Sequence, residues 1–229
     1  MWLIRNCVFT ICSIATAISC LLVFPFDYRK SLTSLIVKAW SNLTIIIYGV
    51  KVDVYGAENA AENEGKIYVS NHLSYFDIFV LLAKLPGKVR IIYKKELNRM
   101  PLISWAMMAS GFQSIDRKNI RSSLESLDKA AKKIKNGLSF VIFPEGTRSE
   151  TGDTLPFKRG MFVLTEKAER DFIPVSLWNT HNITPNASLR VRPGRVILVM
   201  GKPMKSKSWN DKEFVNEVRD LIISNIKKF

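Results

Sequence analysis

Hydrophobic residues dominate the first fifty positions of the chain. No charged side chain occurs in residues 6–26, and roughly 20 apolar residues are enough to cross the hydrocarbon core of a membrane as a helix. Residues 31–50 carry apolar side chains at spacings of three and four, which predicts a second helix with an apolar stripe. Because Lys38 interrupts this stretch, the second helix fits the membrane interface better than a full span. We therefore predict a two-helix membrane anchor in residues 1–50.

Two alternatives stay open for this segment. Ala15-Thr16-Ala17 resembles the cleavage site of a signal peptide, although residues 18–24 remain apolar where a cleavage region turns polar. Residues 31–50 could equally pack against the globular part of the protein.

Beyond residue 50 the period of the hydrophobic pattern changes. Short runs rich in β-branched and aromatic residues alternate with segments of helical spacing, which is typical of a mainly parallel, mixed sheet flanked by helices. The predicted strands cover residues 52–55, 67–70, 89–93, 140–143 and 173–177. The predicted helices cover residues 78–85, 102–109, 122–136 and 161–170. We therefore expect one α/β domain over residues 51–229, preceded by the membrane-associated segment 1–50.

The end of the chain carries two further signals. Pro193-Gly194 separates two apolar runs, which predicts a hairpin between residues 189–191 and 196–199. Residues 211–229 have the spacing of a closing helix.

Composition and charge narrow the class of protein. The chain has 229 residues, 47% of them hydrophobic, so it can bury a core and is not a disordered chain. Its 34 Lys and Arg against 20 Asp and Glu give a net charge of +14. Residues 1–50 hold four basic residues and one acidic residue, which leaves +11 for residues 51–229. This excess suits nucleic acid, anionic lipid headgroups, a phosphorylated substrate or an acidic carrier protein.

The few cysteines and histidines exclude several chemistries. Cys7, Cys12 and Cys20 all lie in the first apolar segment, and the only imidazoles are His72 and His181. This excludes a disulfide framework and a structural Cys/His zinc site, and it leaves residues 51–229 without a thiol nucleophile. The common nucleotide-binding glycine motifs do not occur in the sequence.

The strongest candidate for catalysis is His72. It follows the predicted strand that ends at Ser70, and ligands collect beyond the carboxyl ends of such strands. In a regular helix Asp77 would point about 140° away from His72, so the two can meet only if the segment is a turn that enters a helix. A carboxylate on one ring nitrogen would leave the other free to take a proton from a hydroxyl. In the alternative, His72 caps the helix and Asp77 is an ordinary acid of its first turn.

A polar loop follows the predicted strand 140–143. Residues 144–149 combine a glycine, hydroxyls, an acid and a guanidinium, which are the groups needed to hold a phosphate and neighbouring hydroxyls. The loop therefore predicts a binding site for a phosphorylated compound.

Four blocks of the sequence resemble, in order, the glycerolipid acyltransferases, and in particular the 1-acylglycerol-3-phosphate acyltransferases of bacterial type. Asn71-His72 with Asp77 is similar to the family's histidine-x4-aspartate box. The other three blocks are residues 111–117, 143–149 and 173–175. One departure from the family pattern is Ser114, because the family often has an aliphatic or aromatic residue at this position. The resemblance covers the whole globular part and implies an α/β fold like that of the glycerol-3-phosphate acyltransferases.

The resemblance also implies a reaction. A fatty acyl group would pass from an acyl thioester to the sn-2 hydroxyl of 1-acyl-sn-glycerol 3-phosphate and give phosphatidic acid. His72, oriented by Asp77, would be the general base that activates this hydroxyl. The residues implied to bind substrate are Lys94, Arg117 and Arg148 for the phosphate, and Glu145, Gly146 and Thr147 for the glycerol pocket.

The implied partners are membrane phospholipid, lysophosphatidic acid and a donor that is either acyl-CoA or an acidic acyl carrier protein. We expect no metal, no prosthetic group and no nucleic acid. Arg29 and Lys30 place the catalytic domain on the cytoplasmic face of the inner membrane by the positive-inside rule. The alternatives are an acyltransferase for glycerol 3-phosphate or another lysophospholipid, and a non-catalytic basic protein of the membrane surface.

Overall fold

The computed structural model describes residues 2–60, 65–185, 188, 190–208, 211–227 and 229. Within these residues, eight α-helices and seven strands follow one another along the chain. The helices are α1 (Trp2–Val23), α2 (Ser31–Tyr48), α3 (Phe76–Lys84), α4 (Pro101–Ala109), α5 (Ile120–Lys135), α6 (Val163–Ala168), α7 (Thr180–Ile183) and α8 (Lys212–Ser224). The strands are β1 (Val50–Tyr55), β2 (Ile67–Ser70), β3 (Lys88–Lys94), β4 (Gln113–Ile115), β5 (Leu138–Ile142), β6 (Phe172–Trp178) and β7 (Gly194–Met200).

The strands form one sheet in the order β1-β7-β6-β2-β5-β3-β4. Every neighbouring pair is parallel except β6 and β7, which are antiparallel. The carboxyl ends of β2 to β6 therefore meet at one edge of the sheet, and β1 and β7 run the other way. The predicted fold class, a mainly parallel mixed sheet flanked by helices, is confirmed.

Both faces of the sheet are buried, as expected for parallel strands. On β2, Tyr68 belongs to the core that includes residues of α2, α3 and α4, whereas Ile67 and Val69 belong to the core that includes residues of α5, α6 and α8. All three are fully buried. Successive side chains of a strand point to opposite faces of the sheet, and here both faces are buried. The central strands are therefore continuous apolar runs in the sequence.

The predicted hairpin around Pro193-Gly194 is wrong. Residues 190–193 are not a strand, and residue 189 lies outside the described residues. Both edges of β7 are already occupied, by β1 in parallel and by β6 in antiparallel orientation. A Cβ at Gly194 would lie 2.7 Å from Ile183 Cδ1, so this glycine permits a close contact with α7 and does not mark a turn.

Two predicted helices are shorter in the structure. Within residues 161–170, α6 is preceded by a 3₁₀ helix, Arg159–Phe162, and it ends where Glu169 adopts a left-handed φ of 52°. Within residues 211–229, α8 begins after Asp211, whose side chain accepts a hydrogen bond from the Phe214 N–H and caps the helix. Residue 228, near the end of that prediction, lies outside the described residues.

The two N-terminal helices are long and apolar enough to cross a membrane, by length and composition. They also pack on the α/β fold: α1 contacts α2 and α4, and α2 contacts α3 and β1. The Asp27 carboxylate binds the first turn of α2, because it accepts the N–H groups of Leu32 and Thr33 at 3.2 and 2.8 Å. The boundary between segments 1–50 and 51–229 stays a prediction.

Candidate active site

A cavity of about 590 Å³ opens at the edge where the carboxyl ends of β2, β3 and β5 meet. Six of the residues singled out from the sequence line it: His72, Lys94, Arg117, Gly146, Thr147 and Arg148. The other two, Asp77 and Glu145, are buried and contact the backbone beside His72. The loops that follow separate strands thus bring all eight residues to one site.

His72 and Asp77 meet because the chain turns between β2 and α3. The Asp77 carboxylate, in the first turn of α3, lies with Oδ2 2.8 Å from His72 Nδ1. The same oxygen accepts the N–H groups of Leu73 and Ser74 at 2.7 and 2.8 Å. Tyr75 is the N-cap residue of α3, so His72 does not occupy the capping position. The ring nitrogen that remains for a substrate is Nε2.

An aromatic residue supports the His72 ring. The Phe143 ring, just beyond β5, stacks on the imidazole with centroids 3.9 Å apart and planes tilted by 17°. The imidazole side chain is 14% exposed and lines the cavity. Its rotation is therefore restricted by a carboxylate at one nitrogen and an aromatic face beside the ring.

Glu145 joins the loops that surround His72. Its side chain is buried, and its two oxygens accept the N–H groups of His72 and Leu155 at 2.6 and 2.8 Å. Burial raises the pKa of Glu145 to about 7. In addition, the Ser149 N–H donates to the His72 carbonyl at 3.0 Å. Glu145 thus positions backbone around the cavity, and its part in the glycerol pocket, which the family resemblance implies, stays a prediction.

Three cationic side chains lie at the same cavity. The guanidinium carbon of Arg148 lies 3.4 Å from the Tyr75 ring centroid, and its buried Nη1 has no hydrogen-bond partner among the described residues. Arg117 donates to the Gly146 carbonyl. Lys94, at the end of β3, is exposed and forms an ion pair with Glu96 (3.2 Å). Converging cations with free donors are suited to an anion such as a phosphate.

The sequence did not single out Tyr75, which lines the same cavity. The Tyr75 ring contacts the Arg148 guanidinium, although the two residues belong to different loops. The only sequence signal was an aromatic residue three positions after His72, which alone does not identify its partner. His181, interpreted from the sequence as a loop histidine, packs against Gly152 and is not part of the cavity lining that the structure describes.

Fold and site together define a class of α/β proteins with a histidine–aspartate pair beside a cavity lined by cationic side chains. A family model described as Acyltransferase matches residues 51–178, more than half of the chain. The chain belongs to this acyltransferase family, as its four sequence blocks indicate.

Relatives with established names agree with this assignment. The 1-acyl-sn-glycerol-3-phosphate acyltransferase of Cocos nucifera is 33% identical over 204 residues, which cover 88% of this chain and 65% of that protein. The chloroplastic 1-acyl-sn-glycerol-3-phosphate acyltransferase BAT2 of Brassica napus is 35% identical over 185 residues, which cover 80% of this chain and 53% of that protein. The chain thus spans between about half and two thirds of the length of these relatives.

A solved structure has the same fold. The crystal structure of the 1-acyl-sn-glycerophosphate (LPA) acyltransferase PlsC from Thermotoga maritima matches with a TM-score of 0.74. The alignment covers 100% of this chain and 99% of that chain at 24% identity. The similarity includes the N-terminal helices, because it extends over the whole chain.

Proposed function

We propose that the protein transfers a fatty acyl group from an acyl thioester to the sn-2 hydroxyl of 1-acyl-sn-glycerol 3-phosphate, giving phosphatidic acid. The observation that carries this proposal is the 2.8 Å contact between His72 Nδ1 and Asp77 in the wall of a cavity that also holds Arg117 and Arg148. Such a site supplies a base for a hydroxyl and cations for the phosphate of the same molecule. The names of the relatives support this choice of substrate.

His72 is the proposed general base. Asp77 holds the proton of the imidazole on Nδ1, and Nε2 takes the proton of the acceptor hydroxyl as its oxygen attacks the thioester carbonyl. The tetrahedral intermediate then collapses, the C–S bond breaks, and the departing thiolate receives that proton from Nε2. The ester and a free thiol are the products, so the proton and the electron pairs balance. The reaction as proposed uses no metal or prosthetic group.

The proposed phosphate ligands are Arg148, Arg117 and Lys94. Arg148 is the best placed of the three, because its guanidinium packs on the Tyr75 ring and its buried Nη1 has no hydrogen-bond partner among the described residues. Lys94 is on the exposed side of the cavity. A phosphate bound among these groups would orient the glycerol hydroxyl toward His72.

The proposed donor is acyl-CoA or an acidic acyl carrier protein, both of which suit the net charge of +14. The proposed location is the inner membrane, with the catalytic domain on the cytoplasmic face. Arg29 and Lys30, directly after the first apolar helix, support this orientation.

The experiment is an acyl-transfer assay on the purified full-length chain in detergent. Lysophosphatidate and labelled palmitoyl-CoA are incubated with the wild type, His72→Ala and the matched control His181→Ala, and phosphatidate is measured by thin-layer chromatography. Loss of a general base reduces turnover about 100- to 10,000-fold, so His72→Ala should be almost inactive and His181→Ala nearly normal.

Two further arms separate the alternatives. Palmitoyl acyl carrier protein replaces palmitoyl-CoA to identify the donor, and glycerol 3-phosphate replaces lysophosphatidate to identify the acceptor. Near-normal turnover of His72→Ala would exclude His72 as the base. A wild-type protein that is inactive with every donor and acceptor would refute the proposed reaction.

A further inference from the structure

Exposed apolar side chains are concentrated in one segment of the α/β fold. Between residues 97 and 108, five large apolar side chains are 41–56% exposed. We call these five residues the α4 patch; they are Leu97, Met100, Ile103, Trp105 and Met108. In the remaining described part of residues 51–229, the exposed large apolar residues occur singly or in pairs: Tyr55 packs on Phe229, Ile120 and Leu124 lie one turn apart on α5, and Tyr75 is separate from both pairs. A concentration of this kind marks an interaction surface.

The α4 patch lies beside the exposed apolar surface of the N-terminal helices. Helix α4 packs along α1, and Ile103 and Met107 face Ala17 of α1 across an apolar cavity of about 250 Å³. On its outer side α1 exposes further large apolar residues, among them Ile11 and Ile18. Whatever apolar medium covers α1 therefore extends to α4.

Basic residues border the patch. Lys95 and Arg99 belong to the 3₁₀ helix that precedes α4, and both are exposed. Apolar side chains next to lysine and arginine are typical of segments that lie in the interface of an anionic membrane. Tryptophan is enriched in the interface between the lipid headgroups and the hydrocarbon core. This suits Trp105, which is the most exposed member of the α4 patch at 56%.

We propose that α4 and the preceding 3₁₀ helix form a membrane-contact element of the α/β fold, with Trp105 and Met108 inserted among the lipids of an anionic phospholipid monolayer. These two residues are three positions apart and therefore share one face of α4. Continuity with α1 and the basic border favour lipid over a second copy of the chain. The proposal does not depend on the proposed reaction, because it concerns only where the surface lies.

Quenching of tryptophan fluorescence by brominated lipid tests the proposal. The full-length chain is reconstituted into vesicles of phosphatidylcholine and phosphatidylglycerol with brominated acyl chains, and the quenched share of the emission is measured. The chain has five tryptophans, so removing a lipid-exposed one lowers this share and removing a shielded one raises it. We expect Trp105→Phe to lower the share, and the matched control Trp178→Phe, at the half-buried end of β6, not to lower it.

A share that rises or stays unchanged in Trp105→Phe would overturn the proposal. That outcome includes a patch covered by a second copy, since Trp105 would then be shielded from bromine. A second arm compares vesicles with and without phosphatidylglycerol. We expect Arg99→Gln to reduce the difference in quenching between the two, and an undiminished difference would show that Arg99 does not contact anionic headgroups.

Discussion

At the scale of single residues, one oxygen of Asp77 serves three donors at once: the His72 ring and the N–H groups of Leu73 and Ser74. The carboxylate therefore fixes both the ring and the turn that presents it. Residues that act as such a unit do not contribute additively to catalysis.

We predict that Asp77→Asn lowers turnover by about 100-fold or more, because a neutral amide accepts these hydrogen bonds more weakly than a carboxylate and does not stabilise the protonated imidazole. The double variant Asp77→Asn with His72→Ala should be no slower than His72→Ala alone. Steady-state kinetics of the four proteins in the mutant cycle measure this. Multiplicative losses would mean that Asp77 acts independently of His72.

Glu145 makes stability depend on pH. Burial raises its pKa from 4.5 to about 7, so the folded chain binds this proton more tightly than the unfolded chain. Its contribution to the free energy of unfolding is then largest below pH 4.5 and falls as the pH rises to about 7. A change in pKa of this size corresponds to about 3 kcal/mol as an upper limit.

We predict that Glu145→Gln, which cannot ionise, removes this dependence. The free energy of unfolding of the wild type relative to the variant should fall by up to about 3 kcal/mol between acidic and neutral pH. Denaturant unfolding of both proteins in the same detergent at a series of pH values measures the difference. Parallel pH profiles would contradict the prediction.

At the scale of elements, local signals predicted most of the fold. The strands at residues 67–70 and 173–177 and the helix at 102–109 agree with β2, β6 and α4 within one residue at each end, because apolar periodicity and turn residues are local properties. The three-residue strand β4 was too short for a periodic signal. The partners of β7 were missed because pairing is decided by distant parts of the chain.

In the candidate site, too, the local features could be predicted from the sequence and the contacts between distant residues could not. His72 and Asp77 were identifiable because they share one turn, and their contact required only that this turn precede α3. The role of Glu145 was not identifiable, since its hydrogen bond to the His72 N–H joins positions 73 residues apart. The Tyr75 platform under Arg148 also depends on two loops that meet only in the folded chain.

At the scale of the whole molecule, a single buried arginine ties the N-terminal helices to the sheet. Arg90 of β3 is 1% exposed and donates to the Ser110 carbonyl at the end of α4. Its Nη2 reaches the Ser34 hydroxyl of α2 at 2.7 Å and the Lys30 carbonyl at 3.4 Å. Burial lowers the pKa of Arg90 to about 10, so the side chain stays charged at neutral pH.

We predict that Arg90→Met loosens this junction and leaves the opposite face of the sheet intact. The Ser110 carbonyl, the Lys30 carbonyl and the Ser34 hydroxyl lose their donor, and each hydrogen bond to a charged group contributes about 2 kcal/mol. Hydrogen exchange of the full-length chain should therefore become faster at residues 30–34 and 108–112. Amides of α5 and α8, which pack on the other face, serve as the internal reference and should keep their rates. If hydrogen exchange became equally faster on both faces of the sheet, Arg90 would stabilise the fold as a whole. If the exchange rates at residues 30–34 stayed unchanged, the apolar contacts of α1 and α2 would hold the junction without Arg90.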